Sequence, residues 1–288
     1  MKTPGNDISR WQDDISTAQH VDFAKMWAAG SRFVFIKVSQ STWADRDFVL
    51  NWENARSMQR RGGYHFLSWD ALPVDQARFF CGLLRQDPGE LPPVLDYENR
   101  TNAPSREKAI ARARIFVQEC EQLLGRKMIV YTSPSYWREF GDADPFWELR
   151  KLWIAHYGVE KPTVPAPWIK WTFWQYGEGK GLGLIHGAES LDIDMDWYNG
   201  SLEEMDAEFN LSTHPVEPIP PQSHELRFVN RSMMNIRTGP GITFSICGQM
   251  PANSTLIPLD VDGSDTWIQT DRGWICKTRN GIDYLEKE

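Results

Sequence analysis

The sequence predicts an α/β chain: an irregular, TIM-like (β/α) barrel with missing helices, followed by a small all-β barrel. Three observations carry that expectation. Over residues 1–210, short apolar runs alternate with stretches of helical spacing, the order of a sheet built from strand–helix units. Residues 211–224 hold Pro215, Pro218, Pro220 and Pro221 with almost no apolar residue, so they cannot pack a core and read as a semi-rigid linker. Residues 225–288 then change character, with β-prone runs between turn signals at Thr238-Gly239-Pro240-Gly241, Asp262-Gly263 and Asn280-Gly281.

Strands are expected at 7–9, 33–38, 63–67, 94–97, 128–132, 152–156, 172–176 and 191–194. Helical spacing marks 47–61, 74–86 and 106–124; in the last, Ile110, Ala113, Val117, Cys120 and Leu124 line one face. Eight strands with helices between them make a (β/α) barrel the natural closure. The later connections, such as 157–170, are Pro-rich and too broken for full helices, hence the irregularity.

Four acidic residues stand out, each closing an apolar or aromatic run. Asp7 lies in Gly5-Asn6-Asp7-Ile8-Ser9, Asp96 and Glu98 end Val94-Leu95-Asp96-Tyr97-Glu98, and Asp194 falls in Leu191-Asp192-Ile193-Asp194-Met195-Asp196. Residues two apart on a strand share a face, so Asp96 and Glu98 can point into one site while Tyr97 turns away. A lone Asp-x-Glu is more often a solvated strand edge. Four carboxylates at matching predicted strand ends are different, because the site of such a barrel lies at the C-terminal ends of its strands. Paired carboxylates suit glycoside hydrolysis, where one group donates a proton and the other stabilises positive charge at the sugar carbon. Tyr64, Trp69, Tyr131 and Gln175 also fall at or just after strand ends and could line the groove. His65 and His156 sit off the inward parity and read as structural histidines.

Composition narrows the alternatives. The net charge of −8 offers no basic stripe for phosphates, so a nucleic-acid partner is not expected. No apolar run approaches a membrane span, and no basic-then-apolar signal segment opens the chain. The six histidines form no HExxH or other ligand pair, so neither a metal nor another cofactor is expected. Cys81 and Cys120 fall in helical patterns and read as small core residues. Cys247 and Cys276 share the C-terminal module, and their pairing is open.

The phrases around the acidic residues resemble glycoside hydrolase family 25, the Chalaropsis-type lysozymes. Gly5-Asn6-Asp7-Ile8-Ser9, Gly63-Tyr64-His65-Phe66, Val94 to Glu98, Leu152-Trp153-Ile154-Ala155-His156-Tyr157, Trp174-Gln175-Tyr176 and Asp194 to Gly200 follow the family's order. The resemblance implies an N-acetylmuramidase of bacteriolytic type that cleaves the β-1,4 bond between N-acetylmuramic acid and N-acetylglucosamine in bacterial peptidoglycan. Glu98 matches the family's general acid, Asp96 its second catalytic carboxylate, and Asp7 and Asp194 its flanking aspartates. A raised Glu98 pKa is expected from an apolar wall and from like charges such as Asp96. A covalent, a water-mediated or an N-acetyl-assisted route is compatible with this pair. Asp196 stands where the family's ending has Asn. The rival expectations are a chitinase-like glycosidase and a wall-binding protein without catalysis.

Met234-Asn235-Ile236-Arg237-Thr238-Gly239-Pro240-Gly241, with Trp267 and Trp274 further on, resembles bacterial SH3 domains. That resemblance implies a wall-binding module over 225–288. Its 7 Lys/Arg against 8 Asp/Glu give a net of −1, so binding would rest on shape and hydrogen bonds rather than bulk charge. With no signal segment expected, the protein would be made in the cytoplasm and reach the wall after release through a holin, lysis or another non-Sec route.

Overall fold

Strands β1 (Thr3–Ile8), β2 (Val34–Gln40), β4 (Arg61–Phe66), β5 (Val94–Asp96), β6 (Ile129–Thr132), β7 (Lys151–Ala155), β8 (Phe173–Gly177) and β9 (Asp194–Tyr198) close into an eight-stranded barrel. A two-residue strand, β3 (Trp43–Ala44), hangs on β2 as an antiparallel edge. This computed structural model describes residues 2–17, 19–211, 228–230, 233–238, 242–252, 255–256, 260–262, 267–270, 273–276, 278–279, 282–283 and 285–287. The chain divides into two units, Met1–Glu217 and Pro218–Glu288.

Seven barrel strands run parallel, from β1 to β2 and on through β4 to β8. The eighth, β9, runs antiparallel to both neighbours, β8 and β1. The sequence expectation of a strand over 191–194 is corrected here: the strand begins at Asp194 and continues to Tyr198. Leu191 to Trp197 alternates apolar and acidic residues throughout, and a period of two carries neither a boundary nor a direction.

Side chains alternate between the barrel interior and the outer layer. Phe33, Phe35, Tyr64, Tyr131, Trp153 and Phe173 fill the interior, with Phe35 stacked on Trp153 at 4.4 Å between ring centres and tilted Phe33 and Phe173 at 5.1 Å. The rings lie so close to the wall that a Cβ on Gly62 would stand 2.4 Å from Phe35, and one on Gly5 2.5 Å from Phe33. Glycine is required at both places by contact, not by conformation.

Outside, the apolar faces of α1 (Phe23–Ala28), α2 (Phe48–Asn54), α3 (Pro73–Leu84) and α4 (Arg106–Leu124) cover the early strands. Cys81 and Cys120 are buried between α3 and α4 as small core residues. His65 points outward beneath the same helices, bonded to Ser39 (2.8 Å) and Gln76 (3.1 Å) and stacked on Phe116. Burial lowers its pKa to about 3, so it stays neutral. His156 accepts from the Thr163 N–H and is likewise structural.

The helix expected over 47–61 is shorter than its periodicity suggests. After Asn54 the chain tightens into a 3-10 turn (Ala55–Met58), and Gln59 takes a left-handed conformation with φ 56°. Arg61 is by then in β4, its guanidinium bonded to Glu90, Asp87 and the Trp52 carbonyl. Among the described residues, α5 (Pro134–Phe140) and α6 (Pro145–Glu148) are short, and no helix joins β7 to β8 or β8 to β9. The irregular barrel expected from the broken connections is what forms.

Helix α7 (Leu202–Phe209) opens with a capping box between Ser201 and Glu204 and carries Met205 and Phe209 into the interior cluster. Asp206 on α7 accepts two bonds of 2.7 Å from buried Arg60, just before β4. Removing one partner leaves a buried charge uncompensated. Asp206→Ala should therefore cost about 3–5 kcal/mol, read as a lower urea midpoint; a loss below 1 kcal/mol would make the pair incidental.

Among the described residues, the second unit is all-β. Met234–Arg237, Ile246–Met250, Asp260–Asp262, Trp267–Thr270 and Gly273–Cys276 form a five-stranded antiparallel sheet. Met234, Ile236, Met250 and Ile275 are its described core. The proline-rich stretch from 212 onward, and the side chains of Trp267 and Trp274, lie outside what is described.

Candidate active site

Parallel strands deliver their C-terminal ends to one rim, and that rim collects the acidic residues. Asp7 is the penultimate residue of β1, Asp96 the last of β5, and Glu98 follows two residues later. Tyr97, between them, faces outward and donates to the Phe140 carbonyl at 2.8 Å. Asp194 reaches the same rim differently from the sequence expectation. It starts β9, and because β9 runs backward its start lies at the rim, paired in register with Asp7.

A cleft of about 360 Å³ holds Asp7, Asp96, Glu98 and Asp194 together with Tyr64, Tyr131 and Gln175. Trp69 is the exception among the expected groove residues. It lines a neighbouring hollow of about 420 Å³ with Asn99 and Thr101, and its indole N–H donates to the Asn99 carbonyl. Phe66 borders both spaces. The displacement follows from position, since Trp69 comes three residues after β4 ends and the chain has already left the rim.

Sequence reasoning missed Lys37, Trp153, Tyr157 and Glu178, which also line the cleft. Lys37 was findable: Phe33, Phe35 and Lys37 share one parity, and a lysine continuing an aromatic inward face needs a reason. Its ammonium donates to Gln40 at 3.0 Å and lies over Phe66. Burial lowers its pKa, while Asp96, Asp45 and Glu98 oppose that.

A chain of bonds crosses the cleft floor. Tyr131 and Tyr157 both donate to Gln175 Oε1, at 2.7 and 2.5 Å. Gln175 Nε2 donates to Asp7 at 2.6 Å. Behind Asp7, the fully buried Asp196 accepts from the Trp153 indole at 2.8 Å and sits opposite Gln175, the residue that bonds Asp7.

The carboxylates hold protons above their ordinary range. Burial raises Glu98, opposed by Lys37 and by the polar Tyr131 hydroxyl beside it. Burial also raises Asp96 strongly, the Glu98 charge adds to it, and Lys37 opposes. The like-charge effect expected on Glu98 thus falls mainly on Asp96, while burial is what raises Glu98. Asp194 is pushed up to about 6 by burial and by Glu178 and Glu98. Two carboxyl groups in one dry cleft with one nearby lysine can keep one proton and one charge near neutral pH. That is the division acid-assisted cleavage of a glycosidic bond needs.

The family model for glycosyl hydrolases family 25 matches residues 6–182. Lysozyme M1 of Streptomyces globisporus is 31% identical over 209 residues, covering 68% of this chain and 68% of that protein. The N,O-diacetylmuramidase of a Chalaropsis species is 30% identical over 196 residues, covering 61% of this chain and 93% of its own. The crystal structure of the bacterial lysozyme from Streptomyces coelicolor superposes with a TM-score of 0.62 at 28% identity, covering 73% of this chain and 98% of that one.

Proposed function

This chain belongs to the glycosyl hydrolases of family 25, and on that premise we propose that Glu98 and Asp96 carry out its hydrolysis of peptidoglycan. The enzyme is a glycoside hydrolase of the lysozyme class. The observation supporting the residue assignment is the rim of β5, where Asp96 and Glu98 enter one cleft with Asp7 and Asp194. Glu98 protonates the glycosidic oxygen as the bond breaks. Asp96 stabilises the oxocarbenium-like or oxazolinium centre, and Asp7, Asp194 and Gln175 orient the sugar. The bond cleaved is the β-1,4 link on the reducing side of N-acetylmuramic acid. Mass spectrometry of digested walls tests this: new reducing muramic acid ends are expected, and reducing glucosamine ends would replace the assignment with a chitinase-like specificity. No released fragment would indicate a non-catalytic wall binder.

Lys37 gives the mechanism a pH signature. It lowers the pKa of both Glu98 and Asp96, so removing it raises both. The alkaline limb of activity reports loss of the pair's shared proton, which the mechanism places on Glu98, and the acid limb reports full protonation of the pair. Lys37→Met should move both limbs to higher pH, measured as kcat/KM against soluble glycan from about pH 4 to 9. An unmoved profile would remove Lys37 from the electrostatics of the pair.

The C-terminal unit is proposed as an SH3-like wall-binding domain, supported by its antiparallel sheets and by the Met234 to Gly241 phrase. A chain ending near Ser212 should still cleave soluble glycan but lose activity on whole walls, since the module raises the local concentration of barrel on an insoluble substrate. Undiminished lysis of whole walls by the shortened chain would argue for another role.

A further inference from the structure

We infer that Asp196 is a positioning residue that shares one proton with Asp7, the two carboxyl groups forming an acid–carboxylate pair beneath the cleft. Asp196 is wholly buried, at 0% exposure, opposite Gly5 on β1 and Gln175 on β8. Its Oδ1 accepts from the Trp153 indole at 2.8 Å, while its buried Oδ2 meets no protein donor. Asp7 stands two residues along β1 from Gly5 on the same face and is bonded by Gln175, which Asp196 faces on β8, so the two carboxyl groups are neighbours in the barrel interior. Two ionised carboxylates are acceptors only and cannot bond to each other. A proton on one of them turns the contact into a short charge-assisted bond and gives the otherwise unpartnered oxygen a role.

The surroundings favour retaining that proton. The other side-chain donors bonded to the pair, Trp153 and Gln175, are neutral. The ionisable groups facing it are Lys37 of β2, Tyr64 of β4, Asp96 and Glu98 of β5, Tyr131 of β6, Tyr157 after β7, Tyr176 and Glu178 at the end of β8, and Asp194 of β9. Among these Lys37 is the one cation, and its neighbours are Asp96, Asp45 and Glu98 rather than this pair. With Gln175 donating to its Oδ2 and the shared proton held between it and Asp196, Asp7 is fixed from two sides at the cleft wall. Burial raises Asp196 to about 7 and Asp7 well above its ordinary value.

The consequence is a stability that depends on pH with a defined sign. At pH values below the ordinary carboxylate range, folded and unfolded chains both hold the proton and nothing is lost. As the pH climbs from about 4 to about 7 the unfolded chain releases the proton more readily than the folded one, so folded stability declines across that window. Beyond it the pair is buried with two charges. Asp196→Asn replaces the shared proton with a permanent N–H donor of the same shape and cannot ionise.

Thermal unfolding of wild type, Asp196→Asn, Asp7→Asn and the double variant of the full chain, followed from pH 4 to pH 8, tests the inference. Relative to wild type, the melting temperature of Asp196→Asn should rise with pH, reaching roughly 2–4 °C above it at pH 8. Asp7→Asn should show a similar gain, and the double variant no more than one single variant, because one proton is being replaced. An offset independent of pH, or gains that add, would overturn the shared proton. Asp196→Val supplies no donor and should raise KM and lower kcat at every pH, with Asp196→Asn restoring most of both; equal activity of Val and Asn would overturn the positioning role. Because the melting curves need no substrate, their outcome is separate from the roles given to Glu98 and Asp96.

Discussion

Glu98→Gln should leave the barrel folded and lower turnover by about 10²–10⁴-fold, the range general acid–base groups contribute. The amide keeps the shape of the carboxyl group, so the cleft loses only the transferable proton. Two measurements define the result: clearing of wall suspensions at matched melting temperature, and hydrolysis of glycosides with different leaving groups. A leaving group that departs without a proton does not need Glu98. Aryl glycosides with acidic phenols should therefore recover much of the lost rate, while natural glycan should not. A variant retaining more than half of wild-type activity on walls would remove Glu98 from the mechanism.

Asp96→Asn should be of similar severity, about 10²–10³-fold, yet respond to the leaving group in the opposite way. Its effect is electrostatic: a charge aimed at the developing positive centre in a site that excludes water, where one preorganised group is worth about 2.7–4 kcal/mol. Asp96 lines the cleft, and its buried Oδ1 has no hydrogen-bond partner in the protein. Since the asparagine has lost charge rather than proton donation, an acidic phenol should not rescue it. Rescue of both variants alike would mean that the assignments within the pair are wrong. Asp7→Asn and Asp194→Asn should cost less, as groups that hold and tune rather than react.

The four carboxylates were legible because each interrupts an apolar run at a place where a strand should end, and a buried charge there has no structural excuse. Their assembly followed from parallel strands, which put distant sequence positions on one rim. Lys37 escaped notice although its parity with Phe33 and Phe35 points inward, because a lysine in a strand is so often on an edge. Asp196 shares the face of Asp194 by the period of two, but depth along the barrel axis cannot be read from parity, and its approach to Asp7 depends on that depth. The direction of β9 was hidden by a pattern that reads the same both ways. The signal that could have shown it is the preceding connection, with Gly179, Gly181, Gly183 and Gly187 and no helical run, which is too irregular to return a strand in parallel.

The reversed last strand has a consequence for how such barrels can be recombined. In an all-parallel barrel each rim loop can be exchanged without touching the start of the next strand, which lies at the far end. Here the connection from β8 to β9 begins and ends at the rim, with Gln175 and Glu178 at its entry and Asp194 at its exit. Midway it is fastened to the segment after β1: Gly187 accepts from Asp22 at 2.8 Å, and the Glu189 N–H donates to the Gln12 carbonyl at 2.9 Å. A loop transplanted from a relative therefore brings two site positions at once and needs its docking partner from the first strand's exit. Chimeras cut inside 178–193 should break this clasp, whereas those exchanging 9–22 and 175–196 together should keep it.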